Sequence, residues 1–258
     1  MKNIINYPIN FANIKDNEKI YLYIHDDLLK NYPCKCINDK LVDIKNFEIK
    51  ISPFWEDKIL LTWDKEIDYL LNLEKQEMEK YLNKHSNFWI KVRKQVKEKL
   101  LNVNNYFKSK WFELVIKIWY RPVEVQYLLF KKVYSFFSKK YVKLSSLEIY
   151  EKTTEFIADP DRFIAPHTTW GAIDLILLDK KWNEVDMWCK VNFIWEKANM
   201  TTTNITDQQK NNREFLSFWM LKFWFANLAS EWWHFSYWDA YRAFFYWKKS
   251  SLYGQVDI

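Results

Sequence analysis

The sequence predicts an α+β fold, with helices packed on a small antiparallel sheet. Three observations carry this expectation. Alternating apolar runs and runs with apolar residues every three or four positions both occur, without the regular order of a βαβ protein. Hydrophobic residues make up 49% of the 258 positions and aromatic residues 19%, ample for a core and too many for a chain disordered throughout. No internal repeat and no Pro-, Gly- or Ser-rich linker appears. At roughly 100–200 residues per domain, the length fits one large domain or two small ones. It is read here as a single domain, 1–258.

Taken in order, Lys19–Ile24, Phe47–Ser52 and Lys58–Trp63 alternate as strands do. From Asp64 to Asn83, Ile67, Leu70, Leu71, Met78, Tyr81 and Leu82 recur at helical spacing. From Ser86 to Phe107 the stripe Trp89, Val92, Val96, Leu100, Val103, Phe107 predicts an amphipathic helix. Phe112–Ile118 is a β-type run ending in Tyr120-Arg121-Pro122. Pro122 then opens a helix over Val123–Ser138 from its first position. Pro160 and Pro166 bracket a loop, and Ala172–Leu178 is apolar and β-like. Polar residues from Asn199 to Asn212 lead into a helix ending near Lys222, and Ser236–Trp247 reads as a closing strand.

The charge balance, 39 basic against 33 acidic residues, gives +6, but no basic cluster stands apart as a patch. Nucleic-acid binding is therefore not expected. The N-terminus has no continuous apolar segment of signal-peptide type. The longest apolar stretch, Phe215–Ala229, is short for a membrane span and contains Lys222 and Asn227. A soluble, cytoplasmic protein is expected. Cys34, Cys36 and Cys189 are too few for a disulfide framework and fit a reducing compartment. Cys34 and Cys36 lack a second Cys/His pair at zinc-finger spacing, so they read as structural. Two counts are abnormal. Glycine occurs 2 times and tryptophan 15 times, whereas average usage of about 7% would supply roughly 18 glycines.

Of the four histidines, His25, His85, His167 and His234, two lie in chemically suggestive surroundings. His167 ends a loop, and Asp174 follows within an apolar strand, where an ionised carboxylate is costly unless paired or metal-bound. Glu231-Trp232-Trp233-His234 sets a carboxylate and an imidazole three residues apart among aromatic rings. His167, Asp174 and His234 could supply three ligands to Zn²⁺ and leave a fourth position open for water, as catalytic zinc requires. Glu231 could then take that water's proton, and Arg121 could stabilise an oxyanion. The alternative at this point is a pair of hydrogen-bonded histidines and a structural ion pair.

These residues resemble a known pattern. The segment Ala165-Pro166-His167-Thr168-Thr169-Trp170-Gly171-Ala172-Ile173-Asp174 is similar to the S-x-H-x-x-G-x-A-x-D block of the zinc D-Ala-D-Ala dipeptidases of the VanX type, within the wider D,D-peptidases of peptidoglycan. Its His, Gly, Ala and Asp keep register; the leading Ser is Ala165. The family's E-W-W-H block is intact at Glu231–His234 and its Tyr-Arg-Pro block at Tyr120–Pro122. Order and spacing agree over roughly Arg93 to Gly254, within a motif-bearing part spanning 85–254. Residues 1–84 carry no such motif.

The resemblance implies one zinc ion per chain held by His167, Asp174 and His234 on the sheet. It implies Glu231 as base and then acid, and Arg121 as carbonyl polariser. The implied reaction is hydrolysis of a small dipeptide, D-alanyl-D-alanine, by a metal-activated water. Two other activities compete: a D,D- or L,D-carboxypeptidase acting on peptidoglycan stem peptides, and a zinc-binding protein without catalysis. The departures from the family share one form. Where members commonly carry glycine, this chain has Trp119, Trp170, Trp188, Trp224 and Trp238. One exchange repeated at positions suited to the smallest residue suggests a gene that reads UGA as glycine, here translated with UGA as tryptophan.

Overall fold

The computed structural model describes residues 29, 32–43, 48–53, 65–84, 91–154, 157–192 and 196–256. The expected strands over 19–24 and 58–63 lie outside them. The architecture is α+β. Strand β1 is Leu41–Asp43 and β2 is Lys50–Ile51. Helix α1, Lys65–Lys84, precedes β3, Lys91–Arg93, and α2, Lys94–Ser109. Then come β4, Glu113–Ile118, α3, Val123–Lys140, and α4, Ser146–Thr154. A 3-10 turn, Pro166–Thr169, leads into β5, Ala172–Leu178. Helix α5, Asp207–Lys222, and strands β6, Ala226–Asn227, and β7, His234–Ser236, precede α6, Ala240–Phe245.

All seven residues of β5 are buried, which is why it reads as a continuous apolar run rather than an alternating one. It lies at the centre of a five-stranded sheet ordered β2-β4-β5-β7-β6. The pairs β4–β5, β5–β7 and β7–β6 are antiparallel, while β2 joins β4 in parallel. A separate two-stranded ribbon pairs β1 with β3. Helix α2 turns Val96, Leu100, Val103 and Phe107 inward at steps of three and four and packs on β4. Its buried Asn104 takes the Leu114 N–H on Oδ1 at 3.0 Å and donates to the Glu48 carbonyl at 3.3 Å, so a polar side chain in the core is satisfied by strand ends.

Four expectations change. The helix expected over 86–107 begins only at Lys94, because Val92 lies opposite Val42 in the ribbon. Pro122 is the N-cap of α3, one position earlier than expected. Ser236–Trp247 is not a closing strand. Its aromatic residues suit a strand, but Asp239 Oδ1 accepts the Arg242 N–H at 2.8 Å and starts α6. Tyr241 and Phe245, four apart, then bury one helical face. Finally, Cys34 and Cys36 are joined by a disulfide, while Cys189 is free. A bridge across one residue staples no separate elements, so no disulfide framework results.

Among the described residues, nine have φ in the left-handed region, and seven of these are tryptophan: Trp111, Trp170, Trp182, Trp188, Trp224, Trp238 and Trp247, at 53–76°. The others are Cys36 and Asn192; neither glycine is among them. Three of these tryptophans stand at helix ends of one design. After α2 the Trp111 N–H reaches the Lys108 carbonyl at 3.1 Å and the Phe112 N–H the Phe107 carbonyl at 2.9 Å. After α5 the Trp224 N–H reaches Leu221 at 2.9 Å and Phe225 reaches Met220 at 3.1 Å. After α6 Trp247 reaches Phe244 at 3.0 Å and Lys248 reaches Ala243 at 2.8 Å. Each pair is a Schellman motif, whose left-handed residue is usually glycine because a Cβ is disfavoured there.

Candidate metal centre

The β5–β7 register sets Asp174 directly opposite His234. Directly paired residues on one sheet face bring their side chains together. His167 arrives from the 3-10 turn, whose first position is Pro166 and whose cap, Trp170, is left-handed. Gly171 closes this corner. Its carbonyl accepts the Tyr237 N–H at 2.8 Å, and a Cβ there would stand 2.7 Å from the Tyr237 oxygen. The His167 carbonyl in turn accepts the Arg121 N–H at 3.1 Å, tying the turn to the β4–α3 corner. Pro122 restricts Arg121 to extended backbone, which sets the origin of its side chain.

One ligand atom from each of His167, Asp174 and His234 lies within 4.8 Å of the others, and all three residues are buried. Asp174 Oδ1 is 3.2 Å from His167 Nε2 and 2.9 Å from His234 Nδ1. Despite these separations, Oδ1 has no hydrogen-bond partner of acceptable geometry. A buried, unpartnered carboxylate oxygen between two ring nitrogens fits a cation. At zinc bond lengths of about 2.0–2.2 Å, tetrahedral ligands stand roughly 3.3–3.6 Å apart, against 3.2 and 2.9 Å from the carboxylate oxygen to the two nitrogens and up to 4.8 Å within the set.

Burial alone would raise the Asp174 carboxyl, but the two histidines it faces hold it well below the usual carboxylate range. Burial lowers His167 to about 4, against the pull of Asp174. For His234 burial is outweighed by Asp174, Glu231 and Asp239, which raise it. His234 Nε2 lies 3.2 Å from Ser236 Oγ, a partner that orients the ring from behind.

Glu231 stands beside this cluster, with Oε2 3.8 Å from His234 Nδ1 and its side chain 38% exposed at the opening. Loss of water in the cleft pushes its carboxyl up to about 7; Asp174 and Glu74 add to the rise, while His234 and Arg121 oppose it. Asn227 holds the turn that carries it. Its Nδ2 donates to the carbonyls of Glu231 at 3.1 Å and His234 at 2.9 Å.

His167, Asp174 and His234 come together, Glu231 stands beside them, and Arg121 is joined to His167 through its main-chain N–H. Arg121 acts electrostatically on both His167 and Glu231. Its Nη1 donates to Gln126 Oε1 at 3.1 Å, and its Nη2 pairs with Glu74 Oε1. His25 and His85 lie outside the described residues. Sequence reasoning missed Glu74, Gln126, Asn227 and Ser236. Asn227 alone carried a signal, as a polar residue in an apolar stretch.

With this geometry in hand, comparison with known proteins is decisive at the level of family. The profile of the M15 peptidases, described as D-Ala-D-Ala dipeptidase, matches residues 75–251. The chain belongs to the M15 peptidase family. It is a metallopeptidase by family. No curated protein matches it in sequence. Among solved structures it is similar to a mutant of the vancomycin-resistance D,D-pentapeptidase VanY from a VanB-type cassette in complex with Zn(II). That likeness has 12% identity over 62% of this chain and 81% of that one, with a TM-score of 0.37. It is also similar to VanYB in complex with D-alanine-D-alanine, at 12% identity over 61% and 78% and a TM-score of 0.37. The LD-carboxypeptidase LdcB follows at 16% identity over 78% and 69%, with a TM-score of 0.40. Among the described residues no helix is long and apolar enough to cross a membrane.

Proposed function

We propose that this M15 peptidase hydrolyses D-alanyl-D-alanine to two D-alanines, with zinc held by His167 Nε2, Asp174 Oδ1 and His234 Nδ1. The observation that carries the reading is Glu231. Its carboxylate stands beside the ligand set rather than within it, at the opening, with Oε2 3.8 Å from His234 Nδ1. Two imidazoles and a carboxylate suit zinc and leave a position free. When bound, zinc supplies Lewis acidity and makes water more acidic. Glu231 takes a proton from the attacking water and returns it to the leaving amine. Arg121 directs a rigid fork of donors to the oxygen on which negative charge develops.

The family description favours a dipeptide, and so does the intact run from Glu231 to His234. A carboxypeptidase would use the same metal centre and leave the amine side of the substrate open. Release of free D-alanine from D-Ala-D-Ala, with an N-blocked tripeptide untouched, is expected from the zinc-loaded protein. Cleavage of the tripeptide alone assigns the carboxypeptidase activity, and no release from either assigns a non-catalytic protein. We also place residues before 85 in the same domain. β2 lies in the central sheet beside β4, and the Lys35 N–H donates to the Ser251 carbonyl at 3.0 Å.

The native chain, in this reading, carries glycine where the sequence has left-handed tryptophan. Trp170, Trp188, Trp224 and Trp238 are supported twice, by the family pattern and by φ. Trp111, Trp182 and Trp247 are supported by φ alone, and Trp119 by the family pattern alone. Trp170 also buries its indole N–H without a partner. A side chain at left-handed φ costs roughly 1–2 kcal/mol per residue. Trp111→Gly, Trp224→Gly and Trp247→Gly should therefore each stabilise the protein, by on the order of 1 kcal/mol in denaturant unfolding. UGG codons at these positions in the gene, with tryptophan in the mass of the native protein, would falsify the glycine reading.

A further inference from the structure

Helix α1 brings to the site a carboxylate that stands one residue before the matched family segment. Glu74 and Arg121 shield each other from water, at 14% and 13% side-chain exposure. Glu74 Oε1 accepts from Arg121 Nη2, and Asn192 Nδ2 lies 3.4 Å from Glu74 Oε2. On the other side Gln126 Oε1 accepts from Arg121 Nη1 at 3.1 Å, and Gln126 Nε2 is itself held by the Ala158 carbonyl at 2.8 Å. The two terminal nitrogens of the guanidinium are thus clamped by partners on different helices, α1 and α3. Arg121 Nε is buried and has no partner among the described residues.

An arginine side chain has many rotamers to lose, and two clamped nitrogens define the plane of its fork. A guanidinium stabilises an oxyanion only when its donors already point to where charge will develop. Gln126 supplies a neutral contact on one Nη; the charged restraint comes from Glu74. Without it the guanidinium is free to swing toward Glu231 or Asp174, the other carboxylates of the site.

We propose that Glu74 is a positioning residue, which fixes the plane of the Arg121 guanidinium against the reacting carbonyl. The proposal rests on the role given to Arg121 above. Glu74 does not touch the substrate in this account and acts only through Arg121.

The test is a double-mutant cycle on the zinc-loaded full chain, with Glu74→Gln, Arg121→Ala and the pair. Peptide turnover is one readout and binding of a phosphinate dipeptide analogue, which mimics the tetrahedral anion, is the other. Glu74→Gln should lower kcat by about 10- to 10²-fold, with KM, zinc content and Tm little changed. It should weaken the phosphinate by a similar factor. In the Arg121→Ala background it should cost nothing further, because groups acting through one another are non-additive. Glu74→Asp, which keeps the charge on a shorter arm, should recover part of kcat. Unchanged kcat and phosphinate affinity in Glu74→Gln overturn the proposal, as does the full loss persisting beside Arg121→Ala. A loss confined to KM for a free-amine dipeptide, absent with an N-acylated substrate, also overturns it and makes Glu74 a substrate-amine ligand. If the wild type turns over no peptide, the proposed function fails by itself and the phosphinate titration decides Glu74. An analogue the wild type does not bind overturns both.

Discussion

The two walls of the site are built differently. On one, Asp174 and His234 face each other across the β5–β7 ladder, and His167 hangs from a turn locked by Gly171. The main chain sets their separation. On the other, Arg121 stands at the β4–α3 corner, and its guanidinium is aimed by Glu74 and Gln126. Side chains set its direction. Backbone hydrogen bonds suit a metal, whose bond lengths tolerate little error. A side-chain clamp is enough for a group that must only face a developing charge. The first wall should therefore fail all at once when a member is removed, and the second by degrees.

The largest effect should come from the metal wall. Asp174→Ala should lose stoichiometric zinc and reduce turnover to background, and a chelator should do the same to the wild type. The circular dichroism spectrum and a cooperative thermal transition should survive chelation, because the core is large enough to stand without the ion. Unfolding on chelation would make the zinc structural.

Glu231→Gln comes next. It keeps the shape of the side chain but cannot accept a proton, so kcat should fall by about 10²–10⁴-fold while zinc measured by atomic absorption stays bound. Full activity would remove Glu231 from the mechanism.

Arg121→Ala should cost on the order of 10²–10³-fold, mainly in kcat, with zinc unchanged. Arg121→Lys keeps the charge but not the fork and should fall between. A rise in KM alone would move Arg121 to ground-state binding, and loss of zinc would make the two walls one structure.

The smallest effect belongs to Ser236→Ala, behind the metal wall. Its hydroxyl lies 3.2 Å from His234 Nε2, and its removal should weaken zinc by about 10- to 10²-fold in competition with a chromophoric chelator. Unchanged affinity would mean that the ladder alone orients the imidazole.

Much of this was legible in one dimension. Ala172–Leu178 could be read from its continuous apolar run, because a strand buried on both faces needs no alternation, and Val123–Ser138 from the proline that opens it. The His/Asp cluster and Glu231 stood out because an Asp inside an apolar strand, and a Glu and a His three apart among tryptophans, are costly arrangements without a chemical use. The closing helix was not legible, since Tyr, Phe and Trp suit strands and α6 depends on a local cap at Asp239. Glu74 was not legible either. It is one of many charges on α1, and only the packing of α1 on α3 brings it to Arg121.

The sequence by itself determined which residue types were available for chemistry, in what order, and that almost no glycine remained for left-handed turns. Only the tertiary structure decided that residues 167, 174 and 234 share one point, because strand register is a long-range choice that no local pattern encodes. It decided too which tryptophans stand where a Cβ is disfavoured, since φ at a helix end is set by where the chain must turn next.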